Sequence, residues 1–375
     1  MAPVPSCAFR TLCTDRKLLV KTEMTSKNPG LADLGWTSFF QSQISADDLV
    51  RSFPVRVLAV HRGRLCVAGD GGEATIPSYL RDAQSEEEYP TVGDWLLIDR
   101  DTHRLDRVLH RASLFKRRAP GTARKPQLIA ANIDTLFIVS SCNQDFNVAR
   151  LERYLVLARE AGVTPIVVLT KADLTDEPET YAKAARVLRR GLLVETVNAL
   201  DPGDIAAIKA WCGPGQTVAL MGSSGVGKST LINTLTGAPA LATQGIRDDD
   251  RGRHTTTARS LHRLGEGGWL IDTPGMRELQ LTDTAAGVDE VFEDIAALAK
   301  SCRFSDCAHG AEPDCAVRAA VDAGTLTPER LARWRKLAAE EAFNTETLAE
   351  RRTRTRAFGK MVRSVLKEKD RMKRS

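Results

Sequence analysis

The sequence predicts a multidomain chain in three parts: a small N-terminal all-β barrel, a central parallel α/β domain, and a mainly helical C-terminal domain. Three observations predict it. Five short β-prone pieces fill residues 55–111, apolar strand and helix patterns alternate from residue 132 to about 298, and residues 302–315 gather three cysteines and a histidine. A chain of 375 residues has room for two or three domains of ~100–200 residues. We place the boundaries at 31–120, 121–298 and 299–375, behind a leader of residues 1–30 with no packing pattern.

Residues 31–50 (LADLGWTSFFQSQISADDLV) mix aromatic and polar residues and fit a short helix. VRVLAVH, RLCVAG, EATIPSYL, DWLLIDR and RLDRVLHR then follow, separated by glycines and polar turns. Strands of ~4–7 residues at this spacing make a small all-β unit. A five-stranded barrel of the oligonucleotide/oligosaccharide-binding (OB) type has the right size, as do other small barrels. Tyr79, Trp95 and Phe115 fit core packing as well as base stacking, so the basic residues are the better hint of an anionic partner. They are Arg56, Arg62, Arg64, Arg81, Arg107, Arg111, Lys116, Arg117 and Arg118.

In the central part, IDTLFIVSS, TPIVVLT, LLVETVNA and QTVALMG read as buried strands. ARLERYLVLAREAG, TYAKAARVLRRG and DIAAIKAWCG read as the helices between them. This alternation makes a parallel sheet covered by helices. Residues 222–229 read GSSGVGKS, which satisfies G-x-x-x-x-G-K-[ST] between a strand and the helix STLINTLTG. Gly222, Ser223, Ser224, Gly225, Val226 and Gly227 would turn backbone N–H groups onto phosphate oxygens, and the helix start at Lys228, Ser229 and Thr230 adds its own free donors. Lys228 would reach the β/γ phosphates and the Ser229 hydroxyl a Mg²⁺ ion. Asp272, at the end of WLIDTPG, would hold the Mg²⁺ shell, with the Gly275 N–H at the γ-phosphate. Between the two lies GIRDDDRGRHTTTARS. Thr255, Thr256 or Thr257 would complete the Mg²⁺ shell; spacing does not choose among them, and Thr256 is taken as the candidate.

Thr170, Lys171, Ala172 and Asp173 follow the strand PIVVL and fit the guanine-reading pattern [NT]-K-x-D. The aspartate would accept from guanine N1–H and N2–H₂, and the lysine stem would cover the base. The alternative is a helix-capping turn. Asn198 and Ala199, after LLVETV, sit where a second base-contacting loop belongs. Lys171 precedes Lys228 by 57 residues, the reverse of the ordinary order. A circular permutation explains this: the strands are kept and the termini moved.

These motifs resemble the ribosome small-subunit-dependent GTPase A (RsgA, or YjeQ) family of circularly permuted GTPases. LGWTSFFQ, PTVGDWLLID, IAANIDTLFIVSSCNQDFN, VVLTKADL, GSSGVGKSTLIN, GRHTTTA and DTPGMRE carry the likeness in order, from about Leu34 onward. The resemblance implies an N-terminal OB barrel, a permuted GTPase domain and a C-terminal zinc domain. It implies GTP hydrolysis on the 30S ribosomal subunit, contact with 16S rRNA, and assistance in late subunit maturation. Two positions depart from the family: Thr170 stands where asparagine is usual, and Asn198 where serine is common.

Met276 occupies the place where many Ras-like enzymes carry a water-orienting glutamine. A low intrinsic rate follows, with catalysis depending on another residue or a partner. His254 is the nearest candidate, and the family resemblance implies the same role; contact with rRNA is the competing reading. Cys302, Cys307, His309 and Cys315 form C-x4-C-x-H-x5-C. Three thiolates and an imidazole make a closed tetrahedral Zn²⁺ set, so the site reads as structural.

The net charge of +5 conceals a split. Residues 351–375 hold eleven Lys/Arg against two Asp/Glu, net +9, and the rest of the chain is net −4. A concentrated basic tail suggests a polyanion, and the motif order favours ribosomal RNA. No apolar run reaches the ~18–20 residues of a membrane span, and the cysteine pattern fits a reducing, cytoplasmic compartment. Nothing calls for an oligomer, so a monomer is expected. Two other readings stay open: a P-loop ATPase of unrelated role, and an RNA-binding module that holds GTP with little turnover.

Overall fold

The computed structural model describes residues 30–80, 85–118, 126–237, 259–272, 279, 281 and 284–345. Two short helices open it, α1 (Ser38–Gln41) and α2 (Ala46–Arg51). A capping box starts α2: Ser45 Oγ accepts from Asp48 N at 3.1 Å, and Asp48 Oδ2 accepts from Ser45 N at 2.9 Å.

The five β-prone pieces become β1 (Ser52–His61), β2 (Arg64–Gly69), β3 (Gly72–Pro77), β4 (Trp95–Asp99) and β5 (Leu105–Val108). They pair antiparallel in the order β3-β2-β1-β4-β5. They enclose a core of their own, with Val55, Val57, Leu65, Val67, Leu96 and Ile98 all buried. Among the described residues no pairing joins β3 to β5.

A hairpin follows that the sequence pattern does not foretell. β6 (Leu114–Arg118) and β7 (Pro126–Ala131) pair with each other across residue 120.

The α/β part contains β8 (Thr135–Ser141), α3 (Val148–Ala161), β9 (Thr164–Thr170), α4 (Pro178–Arg186), β10 (Leu193–Thr196) and α5 (Ala206–Lys209). Then come β11 (Thr217–Met221), α6 (Lys228–Thr236), β12 (Arg259–Arg263) and β13 (Trp269–Asp272). α3 shows how sequence sets an element's ends. Asn147 Oδ1 accepts from Arg150 N at 2.9 Å at its start, and Gly162 at φ 74° closes it in the left-handed conformation that glycine tolerates.

The strand order is β10-β9-β8-β11-β13-β12, parallel except for β12. The strand leading to GSSGVGKS, β11, lies mid-sheet, although β8, β9 and β10 precede it in the chain. That is the permutation expected from the motif order. The sheet continues past β12, which pairs antiparallel with β1 through Ala59↔Ser260 and Val60↔Arg259. The N-terminal strands and the α/β strands therefore form one 11-stranded sheet.

Arg56 sits at this junction and is fully buried. Its guanidinium donates to Leu34 O (2.5 Å), Asn132 O (3.1 Å), Thr217 Oγ1 (2.8 Å) and Gly93 O (3.4 Å). Burial lowers its pKa to about 10, with Asp134 and Asp94 opposing the shift. Its place among the RNA-facing basic residues is therefore corrected: it is a structural pin. Arg111 is likewise occupied, clamped on the buried Asp94 at 2.7 and 2.8 Å. Trp95 and Phe115 are core, whereas Tyr79 is exposed.

Helices α7 (Ala285–Val291), α8 (Glu293–Ala299), α9 (Ala316–Asp322) and α10 (Pro328–Thr345) complete the described chain. α7 lies against α3, and α10 packs on α7. Glu152 of α3 is fully buried and takes Arg330 (2.7 Å) and Arg333 (2.8 Å) from α10. No helix among the described residues is long and apolar enough to cross a membrane.

Candidate nucleotide site and metal centre

Three loops leave the carboxyl edge of the parallel strands, where open α/β sheets bind ligands. Residues 222–229 connect β11 to α6. Gly222 has to be glycine, because a Cβ there would stand 2.3 Å from Val139 O. Gly225 and Gly227 have φ of 79° and 91°. The backbone N–H groups of Ser224, Gly225, Val226 and Gly227 have no protein acceptor among the described residues. A ring of free donors with a helix start behind it is an anion cradle. Lys228 lies at its mouth, with Nζ donating to Gly222 O at 2.8 Å and to Ser223 O. Ser229 and Thr230 lie in the first turn of α6.

The second loop carries Lys171, at φ 59°, and the exposed Asp173. The third carries Asn198 and Ala199. β9 and β10 run parallel with Thr196 beside Leu169, so both loops emerge side by side. Two contacts tie the loops together, through Thr170 to Val226 and through Thr234 to Ala199. Thr170 Oγ1 lies 2.6 Å from Val226 O and 3.1 Å from Ser140 O. Thr234 of α6 donates to Ala199 O at 2.7 Å. Asn198 N donates to Asp204 at 2.5 Å, and Asn198 Oδ1 accepts from Leu200 N at 3.0 Å, so this side chain shapes its own turn.

Asp272 ends β13 opposite Ser260. His254, Thr255, Thr256, Thr257, Gly275, Met276 and the basic tail 351–375 lie outside the described residues.

The cysteine cluster converges. The ligand atoms of Cys302, Cys307, His309 and Cys315 all lie within 4.8 Å of one another. Cys302 Sγ and Cys315 Sγ are 3.9 Å apart, and each is 3.6 Å from His309 Nδ1. A tetrahedron with Zn–S of ~2.3 Å and Zn–N of ~2.0–2.1 Å has edges of roughly 3.5–3.8 Å, so the donor set fits the ion. His309 is buried at φ 57°, with its ring 5.2 Å from Trp334 of α10. Arg335 donates to its carbonyl oxygen. Sequence reasoning did not find these second supports, because α10 is remote from the cluster in the chain. Elsewhere, burial pushes the thiols of Cys142 and Cys212 up to about 11 and about 12, which leaves them inert.

The structure also reveals a link absent from the sequence reading. Arg153, beside Glu152 on α3, donates to Leu279 O at 3.0 Å and pairs with Glu340 on α10. One side chain therefore holds both the stretch that follows DTPG and the C-terminal helix.

The family described as RsgA GTPase matches residues 108–282. A small ribosomal subunit biogenesis GTPase RsgA from Mesorhizobium japonicum is 53% identical over 86% of this chain and 93% of its own length. A protein named small ribosomal subunit biogenesis GTPase RsgA 2, from Vibrio parahaemolyticus, is 48% identical over 94% of this chain and 97% of its own. In fold, the chain is similar to YjeQ from Thermotoga maritima, with a TM-score of 0.55 and 24% identity over 76% of this chain and 97% of that one. It is also similar to YloQ, described as a circularly permuted GTPase, with a TM-score of 0.54 and 24% identity over 79% of this chain and 97% of the other. With the phosphate cradle, the base loops and the permuted strand order in place, this chain belongs to the RsgA family of circularly permuted GTPases.

Proposed function

We propose that the chain hydrolyses GTP to GDP and phosphate when bound to the 30S ribosomal subunit, and that it assists a late step in that subunit's maturation. The names of the related proteins support the partner. One observation carries the nucleotide reading: the cradle at 222–229 is bonded directly to the base loop through Thr170 and Val226. That contact sets the distance between phosphate and base sites, so the pair reads a guanine nucleotide as one object.

In this reading Asp173 accepts from the guanine edge and Lys171 covers its face. Asn198 and Ala199 flank the base, while Lys228 neutralises the β/γ phosphates. Ser229, Thr256 and Asp272 would hold Mg²⁺, which supplies charge neutralisation at the phosphates. His254 orients the attacking water and the Gly275 N–H meets the γ-phosphate. Cys302, Cys307, His309 and Cys315 hold one structural Zn²⁺. The N-terminal strands act as an OB barrel that, with the basic tail, meets 16S rRNA phosphates. The protein works as a cytoplasmic monomer, with functional units at 31–120, 121–298 and 299–375.

The test is phosphate release by the full chain with and without 30S subunits. Stimulation by the subunit is expected, reduced in His254→Ala and in a chain lacking residues 351–375. Equal rates with and without subunits would sink the proposal. A preference for ATP in nucleotide competition would sink the guanine assignment.

A further inference from the structure

A cleft of about 480 Å³ opens on the far side of the α/β domain from the nucleotide loops. Two turns form it. One joins α3 to the amino end of β9, and the other joins α4 to the amino end of β10. β9 has seven residues, so the cleft lies roughly 20 Å from the base loop at the strand's other end. A ligand here would not compete with GTP for space.

The chemistry of the lining is that of an anion site. Arg159, Arg189 and Arg190 face it, against the single carboxylate of Glu290. Glu290, on α7, pairs with Arg159 through one oxygen and with Arg189 through the other at 2.7 Å. Each guanidinium has five N–H donors, and these pairings use few of them. Glu290 thus orients two arginines without exhausting them. Arg190 is exposed and has no hydrogen bond or ion pair among the described residues. Gly191 has φ of 72°, and nothing lies within 4 Å of where its Cβ would stand, so the backbone is open to close approach. Thr164 adds an exposed residue at the same mouth.

We infer that this cleft is a second anion site, which binds the phosphodiester backbone of RNA in the ribosomal partner while GTP occupies the first. The inference rests on the small-subunit partner proposed above. The openness of the cleft to solvent and the unengaged Arg190 favour a continuous polyanion over an enclosed small molecule. Arginine in a forked arrangement matches phosphate oxygens in pairs. The site would anchor the α/β domain independently of the barrel and the tail.

The experiment measures binding of the full-length chain, loaded with a non-hydrolysable GTP analogue, to purified 30S subunits across a KCl series. Arg190→Glu is compared with wild type and with Lys183→Glu, a reversal on exposed α4 surface outside the cleft. Arg190→Gln is the milder second variant, and melting temperatures check that all are folded. Arg190→Glu is expected to weaken binding about ten-fold and to lower the log–log salt slope by about one. Lys183→Glu should stay within about two-fold of wild type, and nucleotide affinity should not change in any variant. If wild type binds subunits and both Arg190 variants match it in affinity and slope, the cluster is an interhelical clamp and the inference is overturned. If wild type does not bind, the partner proposal itself has failed. Tripolyphosphate, added at saturating GTP, is the remaining arm. Binding that Arg190→Glu abolishes, with subunit affinity unaltered, would assign the cleft to a free phosphate compound and overturn the RNA assignment.

Discussion

Thr170 Oγ1 lies 2.6 Å from the carbonyl oxygen of Val226, joining the end of β9 to the loop before α6. The residue stands where the family usually has asparagine, and its shorter side chain still reaches the loop. The close approach is helped by Gly227, where a Cβ would stand only 3.2 Å from the same oxygen. Thr170→Val keeps the shape and removes the hydroxyl. A buried hydrogen bond of this kind contributes about 1 kcal/mol, so GDP should bind about five-fold more weakly. Thr170→Ser should bind like wild type. Titration with a fluorescent guanine nucleotide checks both.

In the base site proposed above, Asp173→Asn would replace an acceptor of two guanine N–H groups with an amide that offers a donor there. Each charge-assisted bond contributes about 1.5–3 kcal/mol, so GTP affinity should fall at least 100-fold. Xanthosine triphosphate, which carries an oxygen in place of the guanine amino group, should gain affinity. Competition between the two nucleotides reads the swap; unchanged GTP preference would remove Asp173 from the base site.

The metal prediction is stoichiometric. Elemental analysis should find one zinc per chain, and Cys315→Ser should lose it. Cys315 is buried at the start of α9, so loss of the ion should melt the segment between α8 and α9. Structural zinc contributes about 10 kcal/mol or more of binding energy, and its ligands bind as thiolates and neutral imidazole. Acidification should therefore release the ion, and a chelator should lower the melting temperature.

Arg56→Met should be among the costliest single changes. It would strand the buried carbonyl oxygens of Leu34 and Asn132 and the Thr217 hydroxyl, and remove the cation that offsets the charge of Asp134, while Asp94 keeps Arg111 and Gly93 O keeps Asn132 Nδ2. Removing one partner from such a network costs about 3–5 kcal/mol. Arg56→Lys should rescue little, because one ammonium cannot span acceptors on four segments. Urea unfolding would show the loss as a lower midpoint.

Glu152→Ala should loosen the C-terminal helix. It removes the fully buried carboxylate that takes Arg330 and Arg333, while leaving Arg330 stacked on Phe292 at 4.2 Å. Faster proteolytic cleavage within residues 328–345, with GDP affinity unchanged, is the expected readout. Equal cleavage rates would show that the Glu152 pairs do not hold α10 in place.

Much of the candidate site was legible because its chemistry is local. GSSGVGKS and TKAD need fixed residues at consecutive positions, and C-x4-C-x-H-x5-C brings its ligands together within a short loop. Alternating apolar runs likewise located β1–β5, β8–β11 and their helices. The hairpin β6–β7 and strand β12 escaped notice for a physical reason. LFKRR and RSLHR are short and rich in charge, and neither makes an apolar run; β6 pairs with the strand that follows it, and β12 also pairs with the remote β1.

The sequence by itself determined the phosphate loop, the base motif, the metal set and their permuted order, since each depends on spacing along the chain. Tertiary structure alone decided what the charges do. Arg56 reads as one basic residue among many, yet it is buried as a pin between β1 and β11. Glu152 and Arg330 lie 178 positions apart and form one buried pair. Arg159 of α3, Arg189 of the turn after α4 and Glu290 of α7 meet at one cleft. Sign and position in the chain do not reveal which face a side chain occupies or which partner desolvates it. Those are set when distant segments pack, and they separate the arginines that hold the fold from those left free to meet a partner.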